Sequence, residues 1–261
     1  MFRNLQKSAD ESPTTVSVIV PTFQEEKFVE SCLLSIRRQR YPAGALELIV
    51  ADANSTDRTQ EIAHRLADRL VNCDRRGIAF GRNSGAAAAT GDVLLFVDAD
   101  AALEPDFVDR CISAFRDPAT VCVTGIALPR DGALFARLVY RATYVLVRVF
   151  HTVGISLFPG ICVAYRNKAF RAVGGFREEL GVAEDLDMSR RISRLGKCVI
   201  NSQAKAAVST RRLQEHALSV VLFHIVNDLR YLLTGTAARS YPKAEETGRW
   251  SDIWKSERSI K

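Results

Sequence analysis

Apolar residues follow two rhythms along this chain, and the rhythm switches repeatedly. Residues 16–20 (Val-Ser-Val-Ile-Val) form a short β-branched run closed by Pro21, which predicts a buried strand. Thr22 to Glu26 is a polar loop. From 27 to 39, Val29, Cys32, Leu33 and Ile36 recur at helical spacing, and Tyr41-Pro42 stops that helix. A second apolar run over 46–51 predicts a strand ending at Asp52. The cap-forming cluster Asn54-Ser55-Thr56-Asp57 then opens a helix expected over about 58–70, with Ile62, Leu66 and Leu70 inward. After the basic glycine turn Asp74-Arg75-Arg76-Gly77, an alanine-rich helix is expected over 78–90. Gly91-Asp92 turns the chain into a strand over 93–97. Pro105 suits the first turn of a helix whose inner face is Phe107, Val108, Cys111 and Phe115, and 121–124 is one more strand.

The second half is less regular. Residues 133–158 are apolar with a sparse basic stripe, in which Arg137, Arg141 and Arg148 share a helical face with Tyr144. That stripe fits first a solvated face over a packed helix, with an interfacial helix meeting lipid phosphates or headgroups as the alternative. Phe158-Pro159-Gly160 turns into a strand over 161–165, and Gly174-Gly175-Phe176 is a tight turn. Glu184-Asp185 opens a helix that Gly196 ends. A last helix over 214–233 carries Leu218, Val221, Leu222, Ile225, Leu229 and Leu232 on one stripe, and Trp250 and Trp254 sit four apart in the tail.

Strands alternating with helices predict an α/β fold, a Rossmann-like and mainly parallel sheet with helices on both faces and a C-terminal helical extension. The expected divisions are a tail at 1–15, a ligand-binding part at 16–128, a second part at 129–212, and a helix and tail at 213–261. In such sheets ligands bind beyond the carboxyl ends of the strands. Pro21-Thr22, Asp52 and Asp98/Asp100 all stand at such ends.

Charge narrows the partners. The net charge of +6 favours anionic ligands, and no dense lysine or arginine run points to nucleic acid. The six cysteines are scattered without a C-x-x-C pair, and most lie in apolar segments, as small core residues of a reducing compartment do. No histidines are spaced as ligands. The first fifteen residues lack an apolar signal region, and the longest uncharged run, 149–165, is too short and too interrupted to span a bilayer. These features predict a cytoplasmic protein, with peripheral contact at the inner face of a membrane as the one membrane role left open.

Three clusters could carry chemistry. The strand at 93–97 climbs into Asp98-Ala99-Asp100. Clustered carboxylates repel unless a cation lies between them, and oxygen ligands suit Mg²⁺ or Mn²⁺. A polar turn after a strand explains the same letters. Glu184 and Asp185 fit acids favoured at a helix N-terminus, or a proton acceptor. Arg211-Arg212 fits an exposed charged loop, or a grip on phosphate.

Together these stretches resemble a known family. Val18 to Glu26, Asp52-Ala53-Asn54-Ser55-Thr56-Asp57, Asn83-Ser84-Gly85 with Ala89-Thr90-Gly91-Asp92, and Asp98-Ala99-Asp100 are similar to the motifs of the family 2 glycosyltransferases of GT-A fold, over roughly residues 16–212. The resemblance implies inverting transfer of a sugar, of hexosyl type, from a nucleotide diphosphate sugar. It implies that Pro21, Thr22 and Glu25 line the nucleotide pocket, that Asp52 contacts the base, and that Arg76 and Gly77 lie near the nucleotide. It further implies that Asp98 meets the ribose or the metal, and that Asp100 is the main ligand of Mn²⁺ or Mg²⁺. In the family's E-D pair the aspartate is the general base, which here is Asp185 beside Glu184, with Asp187 as its understudy. Some relatives close the site with basic residues where this chain has Arg211 and Arg212. The implied partners are a UDP- or GDP-linked sugar donor and a glycan or lipid-linked acceptor. The chain lacks the Q-x-x-R-W motif of polymer-making members, which speaks for addition of one sugar. A non-catalytic nucleotide-sugar-binding or scaffold protein of the same fold is the alternative. A dinucleotide-dependent oxidoreductase is set aside, because no G-x-G-x-x-G follows the first strand.

Overall fold

The computed structural model describes residues 13–131 and 134–238, and for residues 212–220 the backbone alone. Arg212 keeps its place at the start of the last helix, but its side chain, like Trp250 and Trp254, lies outside what is described.

The first half alternates as its pattern predicts. Strands β1 (Val16–Thr22), β2 (Leu46–Asp52), β3 (Arg69–Asn72) and β4 (Val93–Val97) are interleaved with helices α1 (Val29–Arg37), α2 (Thr59–Leu66) and α3 (Ile78–Ala88). β5 (Ala101–Leu103), α4 (Phe107–Ser113) and β6 (Thr120–Pro129) follow. The second half comprises α5 (Leu134–Thr152), β7 (Cys162–Arg166), α6 (Asn167–Ala172), α7 (Glu184–Ile192), β8 (Lys197–Val208) and α8 (Arg211–Thr234).

All eight strands join one sheet in the order β3-β2-β1-β4-β7-β6-β8-β5. The first four are mutually parallel, while β7 runs against both β4 and β6, and β5 runs against β8. The expected division at 128/129 falls inside β6, and the sheet is continuous across it. One sequence expectation is corrected here. The helix expected to reach residue 70 stops at Leu66, and Arg69–Asn72 is a strand. Leu70 keeps its apolar role by pairing with Val50 on the sheet edge, where ladder bonds replace a further helical turn.

Both faces of the sheet are covered, so its central strands are apolar throughout. Side chains alternate across β1: Val16, Val18 and Val20 pack with Val29, Cys32, Leu33 and Ile36 of α1. On the other face Ile19 meets Ala79 and Ala86 of α3, beside a cluster of Phe96, Tyr165, Phe170 and Phe176. Gly85 permits the approach of α3, since a Cβ there would lie 2.4 Å from Cγ2 of Ile19. All six cysteines are buried and unpaired. Among the described residues no helix is long and apolar enough to cross a membrane.

Candidate functional site

The carboxyl ends of β1 and β2 feed two loops that hold each other. Asp52 is fully buried, and its carboxylate accepts from Thr22 Oγ1 at 2.8 Å, from the Ser55 hydroxyl at 2.6 Å and amide at 2.8 Å, and from Gln60 Nε2 at 2.7 Å. Both of its oxygens are thus in use, and Asp52 organises the loop that follows β2. Gln24 and Asn54 adopt left-handed backbone, at φ 55° and 57°, and Gln24 bonds across to Ser55 and Thr56. The Glu25 amide donates to Thr59 Oγ1 at 2.8 Å, which fixes Glu25 above the strand ends. Nearby, the Arg76 guanidinium stacks on the Phe23 ring at 4.1 Å. Gly77 opens α3 at φ 142°, a conformation that a side chain would strain.

A residue not singled out from the sequence ties the site together. Arg82, on α3, is only 2% exposed. It donates to Asp98 Oδ1 at 2.9 Å, to Glu184 Oε1 at 2.6 Å and to the Gly160 carbonyl at 3.0 Å. One guanidinium therefore joins the acid after β4, the turn before β7 and the start of α7. Gly160 must be glycine for this contact, since a Cβ there would lie 2.6 Å from Arg82 Nη2. The sequence did carry a signal: Arg82 is the one charged residue in the small-residue run Ile78 to Ala88, where an exposed helix would show more.

Asp185 meets the same turn from the other side, accepting the Gly160 amide at 2.7 Å and the Leu186 amide at 2.8 Å. Ala183, just before the pair, is left-handed at φ 64° and buried, so packing holds a strained backbone where the acids begin. Burial pushes the Glu184 carboxyl up to about 7, the neighbouring Asp185 charge adds to this, and Arg82 opposes it. Asp187 stands elsewhere: it accepts from Arg191 Nε at 2.6 Å and Tyr231 OH at 2.8 Å, and lies 3.3 Å from Arg177. Its oxygens are committed to packing α7 against α8. Asp228 of α8 was also missed. Burial and the charge of Asp185 raise its carboxyl to about 7.

At the far side of the cluster Arg211 Nη2 lies 2.5 Å from Glu25 Oε1 and 3.5 Å from Asp100 Oδ2. Arg82 with Asp98 and Glu184, and Arg211 with Glu25 and Asp100, are thus two sets of ion pairs, joined through the Asp98-Ala99-Asp100 segment at the end of β4. The second oxygen of Glu25, Oε2, is buried with no donor. Among the described residues no three His, Cys, Asp or Glu side chains converge as a full metal cage. Two carboxylates one residue apart, with an orphan acceptor close by, fit Mg²⁺ or Mn²⁺, which take one or two protein carboxylates and fill the remaining positions with water and phosphate oxygens. The Asn83-Ser84-Gly85 stretch supports this frame. Asn83 exchanges two 2.9 Å hydrogen bonds with the backbone of Phe176 and so pins the Gly174-Gly175 turn.

Known proteins share this fold. A model of the family described as Glycosyl transferase family 2 matches residues 17–174. The chain is 30% identical over 180 residues to a glucosyl-dolichyl phosphate glucuronosyltransferase of Haloferax volcanii, covering 64% of this chain and 57% of that protein. It is 30% identical over 119 residues to the glycosyltransferase AglE of the same organism, covering 43% of this chain and 37% of AglE. The chain therefore spans well under two thirds of the length of these relatives. Among solved structures, a mannosyltransferase from Pyrobaculum calidifontis in complex with GDP-Man and Mn²⁺ superposes with a TM-score of 0.70 at 26% identity, covering 90% of this chain and 70% of that one. The fold also matches glucosyl-3-phosphoglycerate synthase from Mycobacterium tuberculosis, solved with Mn²⁺, UDP and phosphoglyceric acid, at a TM-score of 0.60 and 23% identity over 86% of this chain and 80% of that one.

Proposed function

The chain belongs to glycosyl transferase family 2, and from that premise we propose that it moves a sugar from a nucleotide diphosphate donor to an acceptor hydroxyl, with inversion at the anomeric carbon. The observation that carries this reading is the Arg82 clamp, which sets Asp98 of the D-x-D strand and the Glu184-Asp185 pair in one cluster.

The donor would lie across the ends of β1, β2 and β4. Pro21, Thr22, Asp52, Arg76 and Gly77 would frame the nucleoside. Asp100, with Asp98, would hold Mn²⁺ or Mg²⁺, whose Lewis acidity offsets charge on the leaving diphosphate. Asp185 would take the proton from the acceptor hydroxyl as its oxygen bonds to the anomeric carbon. The bond from that carbon to the diphosphate oxygen breaks on the opposite face, and its electron pair leaves with the nucleoside diphosphate. A single in-line displacement inverts the centre. Arg211, now on Glu25, would grip that diphosphate, and Arg212 is the second candidate. Glu184 orients Arg82 rather than facing the acceptor.

GDP-Man in one structural neighbour and UDP in another leave both bases as candidates. The dolichyl phosphate in a relative's name supports a lipid-linked acceptor over a free glycan. The test is thermal stability against a panel of UDP, GDP and NAD with and without Mn²⁺, followed by donor turnover. A shift with one nucleoside diphosphate plus Mn²⁺, and turnover lost in Asp185→Asn with the shift kept, supports the proposal. A shift without any turnover on any donor would leave a nucleotide-sugar-binding protein instead.

A further inference from the structure

α5 has two apolar faces, and among the described residues only one of them is covered. At about 100° per residue, Ala136, Tyr140, Val147 and Phe150 fall on the side turned to the body of the protein, all buried or partly so. Leu134, Phe135, Leu138, Val145, Leu146 and Val149 fall on a separate arc of roughly 120°, and they are 44–73% exposed. A helix that needed only a core stripe would carry polar residues there. α8 repeats the arrangement: Phe223, Asn227 and Tyr231 are buried, whereas Leu222, Ile225, Leu229 and Leu233 are exposed on the opposite side. The two helices are neighbours, since Phe150 and Tyr231 share one apolar cluster with Leu157.

The charge beside this surface has one sign. Arg137, Arg141 and Arg148 lie together along one border of the outward arc of α5 and are exposed. Among the described residues none of the three has a carboxylate partner, and Arg148 rests on the Tyr144 ring. No Asp or Glu occurs anywhere between Asp131 and Glu178. On α8, Asp228 is largely buried and close enough to Asp185 to feel its charge, so it does not face the outward side. An apolar arc bordered by arginines, without acids, matches a surface that is apolar inside and anionic outside. A second copy of the chain matches it less well. A two-fold interface apposes the same patch on both partners, and this one would bring two arginine rows together with no acid from α5 to offset them.

We propose that the outward faces of α5 and α8 dock onto an anionic lipid bilayer, apolar side chains in the acyl boundary and arginines among the headgroup phosphates. The end of α5 meets the turn that leads to Gly160, with the His151 and Phe158 rings 5.6 Å apart, and Asp228 of α8 feels the charge of Asp185, so the docked face would border the acceptor side. That consequence rests on the transfer reaction proposed above; the docking does not.

Sedimentation of the full chain with vesicles tests this, comparing phosphatidylcholine alone with phosphatidylcholine mixed with phosphatidylglycerol. Binding is expected to the mixed vesicles and to weaken with salt. The triple variant Arg137→Gln, Arg141→Gln, Arg148→Gln should partition roughly a hundredfold less, at about fivefold per arginine. Leu138→Asp with Val149→Asp should abolish binding at an unchanged melting temperature, because both side chains are exposed. Since the native cysteines are buried, Val145→Cys labelled with a polarity-sensitive dye gives a gain of signal: its emission should shift to the blue on mixed vesicles. No binding to mixed vesicles, no blue shift, or a concentration-dependent dimer removed by the same two aspartates would each overturn the proposal.

Discussion

Arg82 and Glu184 lie 102 positions apart along the chain, and their side chains meet at 2.6 Å in the interior. The same guanidinium reaches Asp98 at 2.9 Å. A buried cation between two acids is costly to bring out of water, and costlier to break by removing one partner. The contact therefore makes the D-x-D strand and the E-D helix depend on each other.

Arg82→Met should destabilise the fold by about 3–5 kcal/mol at pH 8, because it strands the buried Glu184 and removes the cation from half-buried Asp98. The loss should be smaller at pH 5.5. Glu184 has its carboxyl raised to about 7, so below that pH it is neutral and needs the cation less. Urea unfolding at the two pH values measures the difference; an equal loss at both would mean that Glu184 is not the group being stabilised.

Asp185 and Asp187 should separate cleanly. Asp185→Asn removes the proposed base and should lower turnover by about 10²–10⁴, with roughly 1 kcal/mol of stability lost through its bond to the Gly160 amide. Asp187→Asn weakens contacts to Arg191, Tyr231 and Arg177. It should cost about 3 kcal/mol or more in unfolding free energy, while turnover by the folded fraction stays near wild type. Steady-state kinetics beside chemical denaturation reads both, and the reverse pattern would exchange their roles.

Much of this frame is legible in the chain because it is local. β1, β2 and β4 announce themselves as apolar runs ending in polar residues, and α1 by its spacing, since both faces of the sheet are buried. The acids at the ends of β2 and β4 and at the start of α7 follow from those boundaries. What was not legible is pairing. β3 looked like the tail of a helix, since Ile62, Leu66 and Leu70 suit either, and only the neighbouring β2 decides it. β8 is polar in sequence because much of it lies half-exposed at the sheet's far side. Gly160 and Asp228 carry no local pattern at all, and Arg82 only its isolation in a small-residue run; the roles of all three exist only through partners distant in the chain.

Gly160→Ala tests the geometry of the clamp without removing a charge. The added methyl would lie 2.6, 2.8 and 3.0 Å from Nη2, Nη1 and Cζ of Arg82. The guanidinium is held on three sides and must shift, so a loss of about 1–3 kcal/mol is expected, as for other overpacked cores. Gly154→Ala is the comparison: nothing lies within 4 Å, although φ is +82°. It should cost about 1 kcal/mol through backbone strain alone. If the two variants unfold alike, the close approach at Gly160 is not what holds Arg82.

Asp228 gives the pH dependence a definite sign. Its carboxyl rises from an ordinary 3.8 to about 7, first through burial and then through the charge of Asp185. Between roughly pH 4 and pH 7 the unfolded chain has released this proton while the folded chain keeps it. Stability therefore falls as pH rises across that window, by an amount on the order of 2–4 kcal/mol, and levels off above it. Asp228→Asn has no proton to lose. It should match the wild type near pH 5 and exceed it at pH 8. Glu184 contributes a slope of the same sign that persists in the variant, so the dependence should shrink, not vanish. Because Asp185 supplies part of the penalty, the gain at pH 8 should be smaller when Asp228→Asn is made on an Asp185→Asn background. Urea unfolding of the four proteins at both pH values measures this coupling, and a gain of equal size in both backgrounds would show that Asp228 responds to burial alone.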